Sequence, residues 1–123
     1  MTDVEFPEMR ENVLSAVRAF SDVEYQNRVW LRREYPHEGY FDDFSLNLNI
    51  LYDDTLVLED PVSALGKVLR SHEEVSAMAE LAEGIDSVLR EEGYGRSDAE
   101  YLRSPYWAGV LTAAFRAYSV LAA

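Results

Sequence analysis

Cysteine is absent from all 123 residues. That excludes disulfide staples and thiolate chemistry, and it fits a reducing compartment. Long apolar runs are missing too. No stretch approaches the ~20 residues needed to cross a bilayer, and the acidic start, residues 1–8, lacks the apolar core of a secretory signal. Basic residues are scarce, eleven against twenty-three acidic ones, for a formal charge of −12. A nucleic-acid binder presents a basic face, so nucleic acid is not an expected partner, and anionic membrane surfaces would repel the chain. Only two histidines occur, His37 and His72. Neither sits in an H-E-x-x-H pattern, and no cysteine cluster or glycine-rich loop accompanies them. The expectation is therefore no metal, no cofactor and no enzymatic activity.

The sharpest absence is local. Residues 34–66 contain eight acidic side chains and no lysine or arginine, with Arg33 and Lys67 closing the window. Self-repulsion of this size opposes compaction, so a folded domain that keeps it has a solubility reason or a basic partner.

Folding capacity is ample. Hydrophobic residues make up 48% of the chain and fifteen residues are aromatic, which sets it apart from a disordered acidic tail. The length fits one domain over 1–123, with residues 1–6 free to be disordered. Helix-start signals recur. Ser21 with Glu24, Ser71 with Glu74 and Ser97 with Glu100 have capping-box spacing. Asp60-Pro61 and Ser104-Pro105 each place a capping residue before a proline at the first helical position.

Apolar spacing agrees. Met9, Val13, Ala16, Val17 and Phe20 recur at intervals of three and four. Val75, Met78, Ala82, Ile85 and Leu89 do so until Gly93, and Trp107, Leu111, Ala114, Tyr118 and Leu121 form a third stripe. Short helices fit residues 62–69 and 98–103.

Residues 44–59 read two ways. Alternation of Phe44, Leu46, Leu48, Ile50 and Tyr52 with polar residues suggests a strand, and a hairpin would turn at Asp53-Asp54. That turn lacks glycine, and the second strand would put Leu56 and Leu58 on the polar face of the first. As a helix, Phe41, Phe44, Leu48, Leu51, Tyr52 and Thr55 form one stripe, with Leu46, Ile50 and Val57 opposite. The favoured fold is all-α: a single compact domain of five to six helices, with 44–59 as a central sandwiched helix. The alternative is α+β with a β-hairpin at 44–59.

Several clusters carry a family resemblance. They are Asn12-Val13, Ser21-Asp22 leading to Gln26 and Val29-Trp30-Leu31, Asp53-Asp54-Thr55, Leu65-Gly66, and Ser104-Pro105-Tyr106-Trp107. Together, over nearly the whole chain, they resemble a family of small acidic uncharacterised actinobacterial proteins. In size, acidity and helix content that family is similar to immunity proteins of bacterial toxin systems, including contact-dependent inhibition. The resemblance implies a protein-binding module that neutralises a cognate toxin domain; the lack of a secretory signal, apolar run and cysteine points to a soluble cytoplasmic domain.

The partner-binding residues expected from the charge run are Asp53, Asp54, Tyr52, Tyr40, Asp42, Asp43 and Glu38. Asp53-Asp54 is the most pointed pair, facing a partner's lysines and arginines; the competing reading has it solvated or paired with Arg32 or Arg33. Asp42-Asp43 also suits a helix N-terminus, where negative charge meets the positive end of the dipole. Glu59-Asp60 suits a cap before Pro61. Tyr40 and Tyr52 would supply apolar contact within a charged rim. The basic partner would be bound by a monomer or homodimer. Rival readings are a structural homo-oligomer and a nucleic-acid-mimicking inhibitor.

Overall fold

Proline at position 7 opens the first helix, where its missing N–H costs nothing. The computed structural model describes residues 4–123. Helix α1, Pro7–Ser21, buries Val13, Ala16, Val17, Ala19 and Phe20, together with Arg10. The loose leader expected over 1–6 lies outside the described residues for 1–3. Within 4–6, the Glu5 and Phe6 N–H groups donate to the Gly66 and Lys67 carbonyls at 3.0 and 2.8 Å.

Helix α2 begins at Val23–Tyr25 and continues as a π-helical stretch, Gln26–Leu31. Its cap is Asp22, whose carboxylate accepts from the Tyr25 N–H at 3.0 Å. The expected Ser21 box therefore does not form. Ser21 is the last residue of α1, and its hydroxyl donates back to the Arg18 carbonyl.

Helix α3, Phe44–Asn49, is capped by Asp43 through the Leu46 N–H at 2.7 Å and runs on as a π-helical stretch, Ile50–Asp54. The segment is a helix, not a hairpin, but it stops five residues short of position 59. Thr55 ends it by donating from both N–H and hydroxyl to the Ile50 carbonyl. Leu56 then turns left-handed at φ 59°. Residues 62–69, expected as a short helix, form successive turns, with the Asp60 carboxylate accepting from the Ser63 hydroxyl and N–H.

Helix α4, His72–Glu92, starts under the Ser71 cap and ends at Gly93, whose φ of 86° suits only glycine. Helix α5, Asp98–Leu102, carries the complete Ser97–Glu100 capping box. Helix α6, Trp107–Ala122, closes the chain.

The architecture is all-α, six helices in one compact domain among the described residues. The sandwiched position belongs to α6, which packs against both α1 and α4. The expected double stripe of 44–59 is broken up. Leu46 is 40% exposed, Phe41 is 54% exposed, and Val57 is buried beyond the helix end. Phe41 precedes the helix start at Phe44, and Val57 follows the stop at Asp54, so helical spacing governs neither.

Five rings form the centre of one end: Phe20, Trp30, Phe44, Tyr101 and Trp107. Phe44 stacks on Tyr101 at 4.3 Å, while Phe20 meets Trp30 and Phe44 edge-on. Gln26, fully buried, satisfies the Trp107 indole of this cluster. It accepts from the Trp107 indole at 3.1 Å and donates to the Ala19 carbonyl at 2.8 Å. Buried polar groups are retained at low cost only when paired in this way.

Candidate acidic aromatic groove

One side of α3 and its π-helical extension, the C-terminal half of α4, the loop after α4 and Tyr101 of α5 enclose a groove of about 620 Å³. Its apolar floor comes from Phe44, Leu48 and Leu89, each contributed by an amphipathic helix whose stripe turns inward. Tyr52 and Tyr94 line it as well, and Asp53, Glu59 and Asp86 place carboxylates along it; no lysine or arginine lines it.

The local chain explains each position. The π-helical turn at Ile50–Asp54 carries Tyr52 toward α4, where its hydroxyl donates to Asp86 Oδ1 at 3.3 Å. Burial, followed by the Asp86 charge and hydrogen bond and the nearby Tyr94 and Glu59, pushes the Tyr52 phenol well above its ordinary value. Tyr52 thus stays a neutral donor. Tyr94 stands between Gly93 and Gly95, both left-handed, and is 81% exposed. Its loop is nonetheless pinned, because the buried Tyr101 donates its hydroxyl proton to the Gly93 carbonyl at 2.9 Å and accepts from the Arg96 N–H.

The seven residues expected to bind a partner do not form one surface. Tyr52 and Asp53 share the groove. Asp54 is exposed but lines a separate cleft of about 380 Å³ beside Phe6 and Leu56. Neither Asp53 nor Asp54 forms an ion pair among the described residues, and Arg32 pairs instead with Glu34 at 3.0 Å. Glu38 lies exposed in the loop between α2 and α3. Asp43 spends one carboxylate oxygen on the α3 cap.

Asp42 turns inward, 8% exposed. Its carboxylate accepts from the Tyr25 hydroxyl at 2.7 Å, the Trp30 indole at 2.9 Å and the Asn47 amide at 2.8 Å. It is held by three donors from α2 and α3 and is unavailable to a partner. Residues five apart on an α-helix diverge by about 140°; the wider turn of a π-helix lets Tyr25 and Trp30 reach the same oxygen. Tyr25 gives its proton to Asp42, so Tyr40 donates to the Tyr25 oxygen, which ties Tyr40 into the same network. Burial first, then Tyr40 and Asp42, push the Tyr25 phenol far up.

Asp98 lies beside this network and accepts from the Phe44 N–H at 3.2 Å. Burial, reinforced by the neighbouring Asp43 and Asp42 charges, raises its pKa against the opposing effects of that N–H and Arg33. No group of three or more potential metal ligands comes together among the described residues, and no helix is long and apolar enough to cross a membrane.

A family model described as a domain of unknown function (DUF7945) matches residues 4–123. The chain belongs to that family. No curated protein and no solved structure matches it. The matched span of DUF7945 takes in all six helices, so the groove lies wholly within the family domain. Two of its residues, Asp86 and Tyr94, lie outside the acidic run and were missed by sequence reasoning. Tyr94 had a usable signal: an aromatic between two turn glycines has no helix face on which to be buried. Asp86 had none, because an acidic residue on an amphipathic helix reads as solvated.

Proposed function

We propose that this protein is a non-enzymatic binding module for a basic protein, of the immunity or antitoxin type, working in the cytoplasm by occluding a toxin domain. The observation that supports this most is the groove: apolar and aromatic inside, bordered by carboxylates and lined by no compensating base. An apolar centre with a polar rim is the usual anatomy of a protein contact. The overall charge of −12 adds a long-range field that speeds encounter with a cationic surface.

Co-purification of the product of the adjacent gene is the direct test, followed by stopped-flow association at several salt concentrations. The reading expects a basic partner whose association slows as salt rises and slows again with Asp53→Lys or Asp86→Lys. A neighbour that does not associate, or an association indifferent to both substitutions and to salt, would overturn it. A nucleic-acid mimic draws little support, since Asp42 is buried and Asp53 and Asp54 line different clefts, which breaks up a phosphate-like row. A structural homo-oligomer is favoured by one feature: Phe115 on the outer side of α6 is 66% exposed. Sedimentation of wild type against Phe115→Ser distinguishes it.

A further inference from the structure

The groove has a shape and chemistry of its own, independent of the partner's overall charge. About 620 Å³ exceeds what one side chain fills and matches clefts that enclose small ligands or short peptide segments. Its floor is apolar, so the occupant brings a hydrocarbon stem. The carboxylates around it have no positive neighbour lining the groove, so the occupant brings a cation.

The fork of the cation is specified further. Asp86 uses one oxygen to accept from Tyr52 at 3.3 Å, and no protein donor among the described residues takes its second. Tyr94 presents an exposed ring at the same groove on a loop held on both sides by the Tyr101 hydroxyl, through the Gly93 carbonyl and the Arg96 N–H. A planar cation stacks on such a ring while its edge donates to a carboxylate, an arrangement that favours guanidinium over a compact ammonium, which can sit over the ring but cannot stack on it. A fixed loop also lowers the ordering cost of binding.

The geometry points to this groove as the docking site of an arginine-bearing segment of a basic protein, with the guanidinium stacked on Tyr94 and donating to Asp86. It rests on the binding-module reading above and adds which residue type anchors the contact. Specificity follows from the chemistry. Citrulline keeps the plane and loses the charge, and lysine keeps the charge and loses the plane.

The probes are three N-acetylated, C-amidated pentapeptides, Gly-Gly-X-Gly-Gly with X arginine, lysine or citrulline, titrated into the full chain. Amide shifts of residues around Asp86 and Tyr94 in two-dimensional NMR are the readout. The arginine peptide is expected to shift those amides, the lysine peptide several-fold more weakly, and the citrulline peptide not at all. Tyr94→Ala and Asp86→Asn, both at exposed positions, are each expected to weaken the arginine peptide about tenfold, the scale of a lost charge-assisted contact. Equal binding of arginine and citrulline peptides overturns the inference. So does absence of binding at millimolar peptide, or arginine binding unchanged in both variants. The two readings fail separately. A partner that binds Tyr94→Ala and Asp86→Asn as tightly as wild type removes the arginine anchor and leaves the module intact. Arginine-peptide binding with no basic partner leaves the groove and removes the module.

Discussion

The guanidinium of Arg10 and the carboxylate of Glu74 meet in two parallel hydrogen bonds, 2.8 and 2.9 Å, with both residues about 95% buried. They join the first turns of α1 and α4. Arg10 also donates to the Val68 and Leu121 carbonyls, and Glu74 accepts from the Arg70 N–H at 2.7 Å. One buried pair therefore ties four segments, including the end of α6 and the turns before α4. Glu74→Gln, which strands the Arg10 charge, is expected to cost about 3–5 kcal/mol, read by urea unfolding. Arg10→Met with Glu74→Leu is expected to recover only part of this, because the Val68 and Leu121 carbonyls lose their donor.

Acid sensitivity follows from the same pair. Burial alone would raise the Glu74 carboxyl, but the Arg10 hydrogen bonds and the Arg70 N–H overcome it and hold the pKa below the ordinary 4.5. A depressed carboxylate contributes stability that is present above its unfolded value and is lost as pH falls through its folded value. Asp98 has the opposite sign. Its raised pKa means that ionisation costs stability at neutral pH, and the cost disappears as pH falls through the raised value. Asp98→Asn is thus expected to be more stable than wild type near neutrality and equal to it in acid. Unfolding free energies from about pH 3 to pH 7 check both signs.

Asp42→Ala removes the acceptor shared by Tyr25, Trp30 and Asn47. Leaving buried donors unpaired costs about 1–3 kcal/mol, measured by denaturant midpoint. Trp30 fluorescence is expected to shift as its indole loses its partner. An unchanged spectrum and midpoint would show that Asp42 does not organise the loop between α2 and α3.

Leu56 holds a left-handed backbone at φ 59° and is 55% exposed. That conformation costs a branched residue roughly 1–2 kcal/mol, and glycine avoids it at some cost in chain entropy. Leu56→Gly is expected to be neutral or stabilising by up to about 1 kcal/mol, seen as a higher Tm. A clear loss would mean that Leu56 packs more tightly than its exposure indicates.

The adjacent aspartates are expected to behave differently. Asp53 lines the groove and Asp54 faces the neighbouring cleft. Both Lys substitutions should leave stability within about 0.5 kcal/mol, as exposed positions do. Association with the proposed basic partner should slow more for Asp53→Lys than for Asp54→Lys at low salt. The gap should shrink toward 1 M salt, where the Debye length is about 3 Å. Equal effects would place the contact outside the groove.

Much of the helical framework was legible because caps and stripes are local. The Ser97–Glu100 box, the Ser71 cap and the three stripes of α1, α4 and α6 depend on residues within a few turns of one another. Misjudged elements had competing local solutions. Ser21 loses the cap to Asp22 next to it, and the run at 62–69 settles into turns because Ala64 O collects bonds from Lys67, Val68 and Leu69. The site was half legible. Tyr52 and Asp53 stood out by charge and aromatic neighbours, while Asp86 and Tyr94 come from 34 and 42 positions beyond Tyr52.

By itself the sequence determined the all-α class, most helix starts and an excess of negative charge with no local compensation. Those properties follow from periodicity of 3.6 residues, from capping chemistry and from counting. Tertiary structure alone decided which carboxylates are buried and which line an open groove. Asp42 and Asp53 look alike in the chain, yet one is buried against Tyr25, Trp30 and Asn47 and the other lines an open groove. The difference arises because a charge's surroundings are set by whichever distant helices pack beside it, and the π-helical turns in α2 and α3 redirect side chains that α-helical spacing would place elsewhere.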